Sequence, residues 1–277
     1  MTFHLKQHEA ANKGLARLIL HEVIDAEKTL TSNDNEYDIV HDVRTHCKKI
    51  RALLRLARKD MGKKSYHREN VFFRDQARPL TELRDAAVRL KTLDTLEKNV
   101  FSNLYATFLA DHKALRERVL RQNDAFHSIA NAMQQAKRHM DDWNLEQKNW
   151  KPLQQGLRHT YRKGHRAFTI ARQHPTDRHL HEWRKQSKYL WYELRVLKSV
   201  RPKHICAWSR KIGKWLGEDH DLAELHHILV RLHSHESNIK MLIRQIDRQR
   251  HHLQERAFHI GKRLYADSPR DFIGRFK

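Results

Sequence analysis

The sequence has few cysteines, glycines and prolines, and these shortages exclude several classes of protein. Cys47 and Cys206 are its only cysteines, too few for a disulfide framework, so we expect a reducing compartment. The chain has 8 glycines and 5 prolines in 277 residues, few for a fold that needs many tight turns. Alternating β-branched runs are also missing, so the sequence predicts an all-α protein.

Long hydrophobic runs are missing as well. No apolar stretch approaches the roughly 18 residues that a membrane-spanning helix needs. The first residues, MTFHLKQHEAANK, lack the apolar segment of a signal peptide. We therefore expect a soluble cytoplasmic protein without a membrane partner.

Common motifs for catalysis and metal binding are missing too. The sequence contains no GxxxxGK loop for a nucleotide, no HExxH or CxxC spacing, and no dense acidic cluster for a divalent metal. Pairs such as His226-His227 and His251-His252 arise by chance among 23 histidines and predict adventitious metal binding at most. We expect no catalytic residue, no dedicated metal site and no cofactor.

Positive charge is the strongest feature of the chain. Lysine and arginine number 55 against 33 acidic residues, which gives a net charge of +22 with histidine neutral. A charge of this size repels itself within a compact fold. It predicts a polyanionic partner, and the usual partners of such chains are nucleic acid, an anionic membrane surface or another polyanion.

Two helical patterns overlap in VHDVRTHCKKIRALLR, residues 40–55. The apolar pattern repeats at steps of three and four residues and consists of Val40, Val43, Cys47, Ile50 and Leu54. A basic pattern with the same spacing starts one residue later and consists of His41, Arg44, Lys48, Arg51 and Arg55. The basic series therefore lies about 100° round the helix, beside the apolar stripe. Basic side chains at the edge of one apolar stripe often only snorkel to solvent.

A repeat within the chain makes the basic series more informative. Residues 40–56 align without gaps to LHEWRKQSKYLWYELRV at 180–196, and residues 78–90 align to KWLGEDHDLAELH at 214–226. The second alignment pairs Asp85 with Asp221 as well as Arg84 with His220. Both aspartates lie in basic surroundings, which favours orienting or ion-pairing roles over catalytic ones.

Further helices are predicted around these repeated segments. One precedes each histidine helix, at 14–30 and 156–175, and the loops TSNDNEYD and HPTD are expected to supply N-caps. The closing helices are predicted at 92–121, 122–142, 221–235 and 237–265. A polar linker at 141–152 separates the halves, and the tail from 267 shows no clear element. We predict two four-helix bundles, residues 1–150 and 151–277, that together form one domain.

The basic ridges of the two halves can line a common channel if the halves face each other. Arginine binds phosphate oxygens through a planar fork, lysine acts as a point charge, and histidine can donate a hydrogen bond when neutral. Repetition at helical pitch suits a linear polyanion. Arg74 and Arg78 lie 11 and 7 residues before Asp85, which predicts a shared helical face. The predicted contact residues are His41, Arg44, Lys48, Arg51, Arg55, Arg74, Arg78, Arg158, Arg162, His181, Arg184, Lys188, Arg210 and Lys214.

The doubled pattern H-[D/E]-x-R-x-x-x-[K/R] resembles the CHAD family, the conserved histidine α-helical domain. His41-Asp42-x-Arg44 and His181-Glu182-x-Arg184 carry the resemblance, together with Tyr161-Arg162-Lys163-Gly164, and it extends from about residue 10 to 265. The resemblance implies two bundles in a pseudo-twofold arrangement around a basic central pore or groove. It also implies inorganic polyphosphate as the ligand and association with polyphosphate granules.

Nucleic-acid binding is the alternative that the charge leaves open. The six tryptophans fall mostly near apolar stripes, so no aromatic stacking platform follows the basic series, and no recognition-helix motif is apparent. A narrow channel would admit a bare phosphate chain and exclude a duplex. The geometry of the site therefore distinguishes the two ligands.

Overall fold

The computed structural model describes residues 3–95, 102–141, 143, 145, 149–199, 201–233 and 237–276. Every regular element within these ranges is helical, which confirms the all-α prediction. The α-helices of the described residues are α1 (Ala11–Leu30), α2 (Glu36–Ala57), α3 (Gly62–Ala77), α4 (Pro79–Asp94), α5 (Ser102–Arg116), α6 (Ala125–Asp141), α7 (Lys151–Gln173), α8 (Asp177–Val196), α9 (Lys203–His233), α10 (Ser237–Leu264) and α11 (Pro269–Gly274).

The two histidine helices, α2 and α8, begin at side-chain caps in the predicted loops. The Asn35 side chain accepts a hydrogen bond from the Asp38 amide, and Thr176 accepts one from the His179 amide. Each cap satisfies an amide group that lacks a partner in the first turn of a helix. The prediction of N-capped starts is therefore confirmed in both halves.

The apolar stripe of α2 is buried along its whole length, as its spacing predicts. Val43, Cys47, Ile50 and Leu54 are completely inaccessible to solvent, and Val40 is nearly so. The stripe of α8 is buried in the same way through Leu180, Trp183, Leu190 and Leu194. Burial of these stripes fixes the rotation of both helices, and with it the direction in which the adjacent basic side chains point.

Helices α2, α4, α8 and α9 form the centre of the molecule. Helix α2 packs against α4, α7 and α8, and α9 packs against α4, α8 and α10. The main hydrophobic core contains residues of both halves, and a second core lies between α4, α5, α9 and α10. The pseudo-twofold arrangement and the division at residue 150 remain predictions.

The helix boundaries differ from the predicted ones in three places. Helix α9 runs without interruption from Lys203 to His233, whereas the sequence predicted a closing helix that starts at 221. A π-helical segment, Glu117–Gln122, separates α5 from α6. The prediction that the tail lacks an element was wrong, because Ser268 caps the short helix α11 and the ring of Phe272 stacks on Tyr161 at 3.8 Å.

Both cysteines are buried and free. Cys47 lies in the apolar stripe of α2, where the sequence placed it. None of the described helices is long and apolar enough to cross a membrane.

Candidate functional site

Five basic side chains from three of the central helices come together between the two halves of the chain. We call them the central cluster: Arg44 and Lys48 of α2, Arg84 of α4, and Arg184 and Lys188 of α8. Asp85 of α4 and Asp221 of α9 are the carboxylates beside them. Five cations thus share two nearby carboxylates.

The two lysines of the central cluster lack a close partner among the described residues, although the charge of Asp221 acts on Lys188 from a distance. Among the described residues, neither the Lys48 nor the Lys188 ammonium group makes a hydrogen bond or an ion pair. Burial, followed by the positive charge of Arg44 and Lys188, lowers the pKa of Lys48 to about 7. Burial, followed by the charge of Arg184, lowers the pKa of Lys188 to about 7. Both lysines therefore begin to lose their protons near neutral pH. A nearby anion would raise both pKa values and keep the lysines protonated.

The two arginines that the repeat pairs with each other have different surroundings. Arg44 donates from Nη1 to the carbonyl oxygen of Ala77 at 3.0 Å and to the hydroxyl oxygen of Thr81 at 2.5 Å. The Nε atom of Arg184 is buried and has no hydrogen-bond partner among the described residues. Burial is the main cause that lowers the pKa of both guanidinium groups.

The carboxylates of the site hold Arg84 in place. Arg84 Nη1 lies 3.1 Å from Asp85 Oδ1 and 3.7 Å from Asp221 Oδ1. Burial raises the pKa of Asp221, although Arg84 and Arg184 oppose this effect. The geometry matches the ion-pairing role that the sequence favoured for these two aspartates.

Two histidines lie next to the central cluster, between two cavities. The rings of His181 and His220 are 4.5 Å apart between centroids. Burial and then Arg184 lower the pKa of His220 to about 4, so this ring is neutral at pH 7. A cavity of about 400 Å³ contains Arg84, Asp221 and His220 in its lining, and one of about 790 Å³ lies on the side of His181 and His220.

The basic series continues along α2 beyond the central cluster. Arg51 Nε donates to Asn70 Oδ1 at 3.1 Å. The Arg55 guanidinium carbon lies 3.4 Å from the centroid of the Tyr189 ring of α8. The positive charge of α2 therefore extends from Arg44 to Arg55 along the contact between α2 and α8.

Comparisons with known proteins identify the family of the chain and support its fold. The sequence model of one family, described as the CHAD domain, matches residues 15–230, more than half of the chain. The chain belongs to the CHAD domain family. The crystal structure of the CHAD domain from the plant Ricinus communis is similar, with a TM-score of 0.60 over 99% of this chain and 96% of that chain. The two sequences are 14% identical, so this likeness shows the fold alone. A comparison with curated proteins found no match.

In this CHAD domain, the predicted contact residues fall into a central and a peripheral set. Arg44, Lys48, Arg184 and Lys188 belong to the central cluster, His181 borders it, and Arg51 and Arg55 extend it. His41 is exposed on α2, close enough for Lys48 and Arg84 to lower its pKa, although burial is the larger cause. The peripheral set is exposed and consists of Arg74, Arg78, Arg158, Arg162, Arg210 and Lys214. Ligand binding by either set remains a prediction.

The single helix predicted to carry Arg74, Arg78 and Asp85 is divided in two, because α3 ends at Ala77 and α4 begins at Pro79. Arg78, between them, keeps helical backbone angles. Arg74 instead pairs with Asp75 at 2.8 Å in an exposed position.

The list of contact residues drawn from the sequence omitted Arg84 and His220, although both lie at the centre of this CHAD domain. The sequence did contain a signal, because the repeat aligns Arg84 with His220 and places each next to an aspartate. Lys163 was also omitted, and burial, followed by the charge of Arg58, lowers its pKa. Among the described residues, no group of three or more His, Cys, Asp or Glu side chains is placed to hold a metal ion.

Proposed function

We propose that this CHAD domain binds inorganic polyphosphate, without catalysis, through the central cluster. The observation that carries the proposal is the pair of half-buried ammonium groups of Lys48 and Lys188, neither of which makes a hydrogen bond or an ion pair with a described residue. Both come from the repeated histidine motif, and Arg44 and Arg184 lie one turn before them. The basic groups of both halves thus converge on one place.

The charge balance of the cluster favours an anionic ligand. A buried charge without a partner destabilises a fold by several kcal/mol, and buried charges are therefore normally paired. Among the described residues, Asp85 and Asp221 are the carboxylates beside the five basic groups of the central cluster. A chain of phosphate groups supplies several negative charges in a row and relieves the repulsion between the cations. Binding of such a ligand also stabilises the folded protein by mass action.

The surroundings of the cluster favour a bare phosphate chain over nucleic acid. Nonspecific binders of single strands place aromatic rings where bases can stack. Here Trp183 is completely buried, and Trp191, Trp208 and Trp215 pack against the hydrophobic core. The Tyr189 ring is already covered by Arg55. The central cluster therefore offers cations to phosphate groups, and its surroundings offer few free rings on which bases could stack.

We further propose that the protein works in the cytoplasm and associates there with polyphosphate granules. The family resemblance supports this location. A fluorescent fusion that stays diffuse in cells rich in granules would contradict it.

A salt titration with long-chain polyphosphate and duplex DNA, run side by side, tests the proposed ligand. We expect polyphosphate binding to survive moderate salt while DNA binding falls away, because many phosphates are held in a shaped site. Equal affinity and equal loss with salt for both ligands would indicate a generic basic surface and would refute the proposal.

The double variant Lys48→Met/Lys188→Met tests the proposed site. We expect it to lower polyphosphate affinity by at least tenfold, as expected for losing contacts with charged groups. It should also raise the melting temperature of the free protein, because two half-buried charges without an ion pair are removed. The matched control is Lys240→Met/Lys262→Met, which removes the same charge from two exposed positions on α10. Equal affinities of the two double variants would disprove the site.

A further inference from the structure

The two halves of the chain differ at the positions that face Arg44 and Arg184. The alignment of 78–90 with 214–226 has an offset of 136 residues, which also pairs Ala77 with Gly213 and Thr81 with Gly217. The first half therefore has a hydroxyl group where the second half has no side chain.

In the first half, Arg44 is hydrogen-bonded to the junction between two helices. Helix α3 ends at Ala77, and Pro79 starts α4. Carbonyl groups at the end of a helix lack their usual amide donors and accept hydrogen bonds from side chains. The Ala77 carbonyl accepts from Arg44 Nη1 at 3.0 Å and from the Thr81 hydroxyl at 3.2 Å. Arg44 also contacts the Thr81 oxygen at 2.5 Å, so its guanidinium is tied to the junction of α3 and α4.

In the second half, the corresponding helix is continuous and leaves Arg184 free of such bonds. Helix α9 passes through Gly213 and Gly217 without a break, so no helix end presents a carbonyl there. A Cβ atom built on Gly217 would lie 3.3 Å from Arg184 Nε, which shows how closely the guanidinium approaches this helix. The Nε atom is nonetheless buried without a hydrogen-bond partner among the described residues.

Neighbouring groups on α8 are also without partners. Lys188 lies one turn after Arg184 and passes over Gly213, where a Cβ atom would be 3.1 Å from its Cγ. His181 lies one turn before Arg184, and its Nδ1 atom is buried without a hydrogen-bond partner among the described residues. Helix α8 thus carries a row of three polar groups, on His181, Arg184 and Lys188, that have no hydrogen-bond partner among the described residues.

We propose that the two halves are functionally unequal: Arg184 is the guanidinium that binds the phosphate chain, and Arg44 is a positioning residue. This inference rests on the proposed function and adds that the ligand follows α8. Arg184 can donate to a phosphate without giving up a bond to the protein. Arg44 already commits Nη1 to Ala77 and Thr81, so only its Nε and Nη2 donors remain for a phosphate, in an orientation that the protein fixes.

The variants Arg44→Gln and Arg184→Gln distinguish the two roles. Each removes one positive charge from the same cluster, so the difference between them reports direct contacts with the ligand. We expect Arg184→Gln to weaken polyphosphate binding roughly 10- to 100-fold, the range for a hydrogen bond to a charged group. Arg44→Gln should weaken it by a much smaller factor and should lower the melting temperature more than Arg184→Gln does.

Substitution of Gly217, the residue that faces Arg184, tests whether the Thr81–Gly217 difference causes the unequal roles of the two arginines. Gly217→Thr offers Arg184 the hydroxyl group that Thr81 offers Arg44, and we expect it to weaken polyphosphate binding. Gly217→Ala adds the Cβ atom without the hydroxyl and should weaken binding less. Equal losses in these two variants would overturn the assigned role of the Thr81–Gly217 difference.

The outcomes separate this inference from the proposed function. Wild-type protein that fails to bind polyphosphate overturns both. Wild-type protein that binds, together with equal losses for Arg44→Gln and Arg184→Gln or a larger loss for Arg44→Gln, overturns the inference alone. Should Arg184→Gln fail to fold, Arg184→Lys and Arg44→Lys replace the pair, because lysine keeps the charge and loses the planar fork.

Discussion

The guanidinium group of Arg55 lies over the ring of Tyr189, with its central carbon 3.4 Å from the ring centroid. Arg55 belongs to α2 and Tyr189 to α8, so this contact joins the two histidine helices directly. Arg55 is 8% exposed, and its Nη1 atom donates to the carbonyl oxygen of Arg51 at 2.9 Å. A cation in this desolvated position depends on the ring face for part of its stabilisation.

Replacing Tyr189 by leucine should destabilise the protein by about 1–2 kcal/mol, because Arg55 loses the ring face while its charge stays buried. Tyr189→Phe keeps a ring face and loses only the hydroxyl group, so it should remain close to wild type. Chemical denaturation of both variants measures the difference. Equal unfolding free energies for Tyr189→Leu and Tyr189→Phe would show that the ring face contributes nothing.

Polyphosphate binding should take up protons near pH 8. The pKa of Lys48 and of Lys188 is lowered from 10.5 to about 7 in the free protein, mainly by burial. A bound polyanion returns both values toward 10.5, so each lysine gains a proton between about pH 7 and 10.5. Affinity should therefore fall as pH rises through this window. Calorimetry in buffers of different ionisation enthalpy measures the uptake.

The same lysines should make the stability of the free protein rise with pH, whereas they make the affinity for polyphosphate fall. Between about pH 7 and 10.5 the unfolded chain binds more protons at these sites than the folded chain, so their contribution to stability rises with pH. The Lys48→Met/Lys188→Met variant should lose both this rise and the proton uptake. Proton uptake that is unchanged in this variant would contradict the assignment.

Glu193 should make stability fall between about pH 5 and 8. Its carboxyl group is completely buried, accepts a hydrogen bond from Thr160 at 2.8 Å, and has a pKa raised by burial from 4.5 to about 8. The folded state then binds a proton that the unfolded state releases above pH 4.5, so stability is lost as pH rises through this window. Glu193→Gln keeps an acceptor for Thr160 and should flatten the dependence. An unchanged pH profile in melting experiments would count against a neutral Glu193.

Gly156 allows α7 to approach α2 closely, and its replacement by alanine should destabilise the protein by about 1–3 kcal/mol. A Cβ atom at this position would lie 2.5 Å from the carbonyl oxygen of Leu56 and 2.8 Å from that of Arg55, and both are backbone atoms. Gly274→Ala is the matched control, because nothing lies within 4 Å of its Cβ position. Thermal melting compares the two variants, and similar melting temperatures would contradict the predicted clash.

Local sequence patterns predicted much of the helical framework and part of the site. The loops before α2 and α8 contain the capping residues Asn35 and Thr176, because capping depends on side chains only a few residues apart. The edge position of Arg44 and Lys48 follows from the period of a helix whose apolar stripe is buried. The within-chain repeat brought Arg184 and Lys188 into the same prediction.

The helix break at Arg78 was not anticipated from the same patterns. Pro79 suits the first turn of a helix, so the interruption of the helical face was open to recognition from the sequence. The hydrogen bonds from Arg44 to Ala77 and Thr81 could not be recognised from the sequence, since they depend on how α2 packs against α4. The short helix α11 was missed for a similar reason, because Phe272 is ordered by its contact with Tyr161, far away along the chain.

By itself, the sequence determined the all-α class, the start and the buried face of both histidine helices, and the strong positive charge beside those faces. These properties depend on neighbours within one or two helical turns and on total composition. Only the tertiary structure decided which cations acquire partners. Arg84 lies near Asp221 and Arg55 packs on Tyr189, whereas Lys48 and Lys188 form no ion pair with a described residue. The reason is physical: a counter-ion acts over a few ångströms in space, and helix packing alone sets those distances.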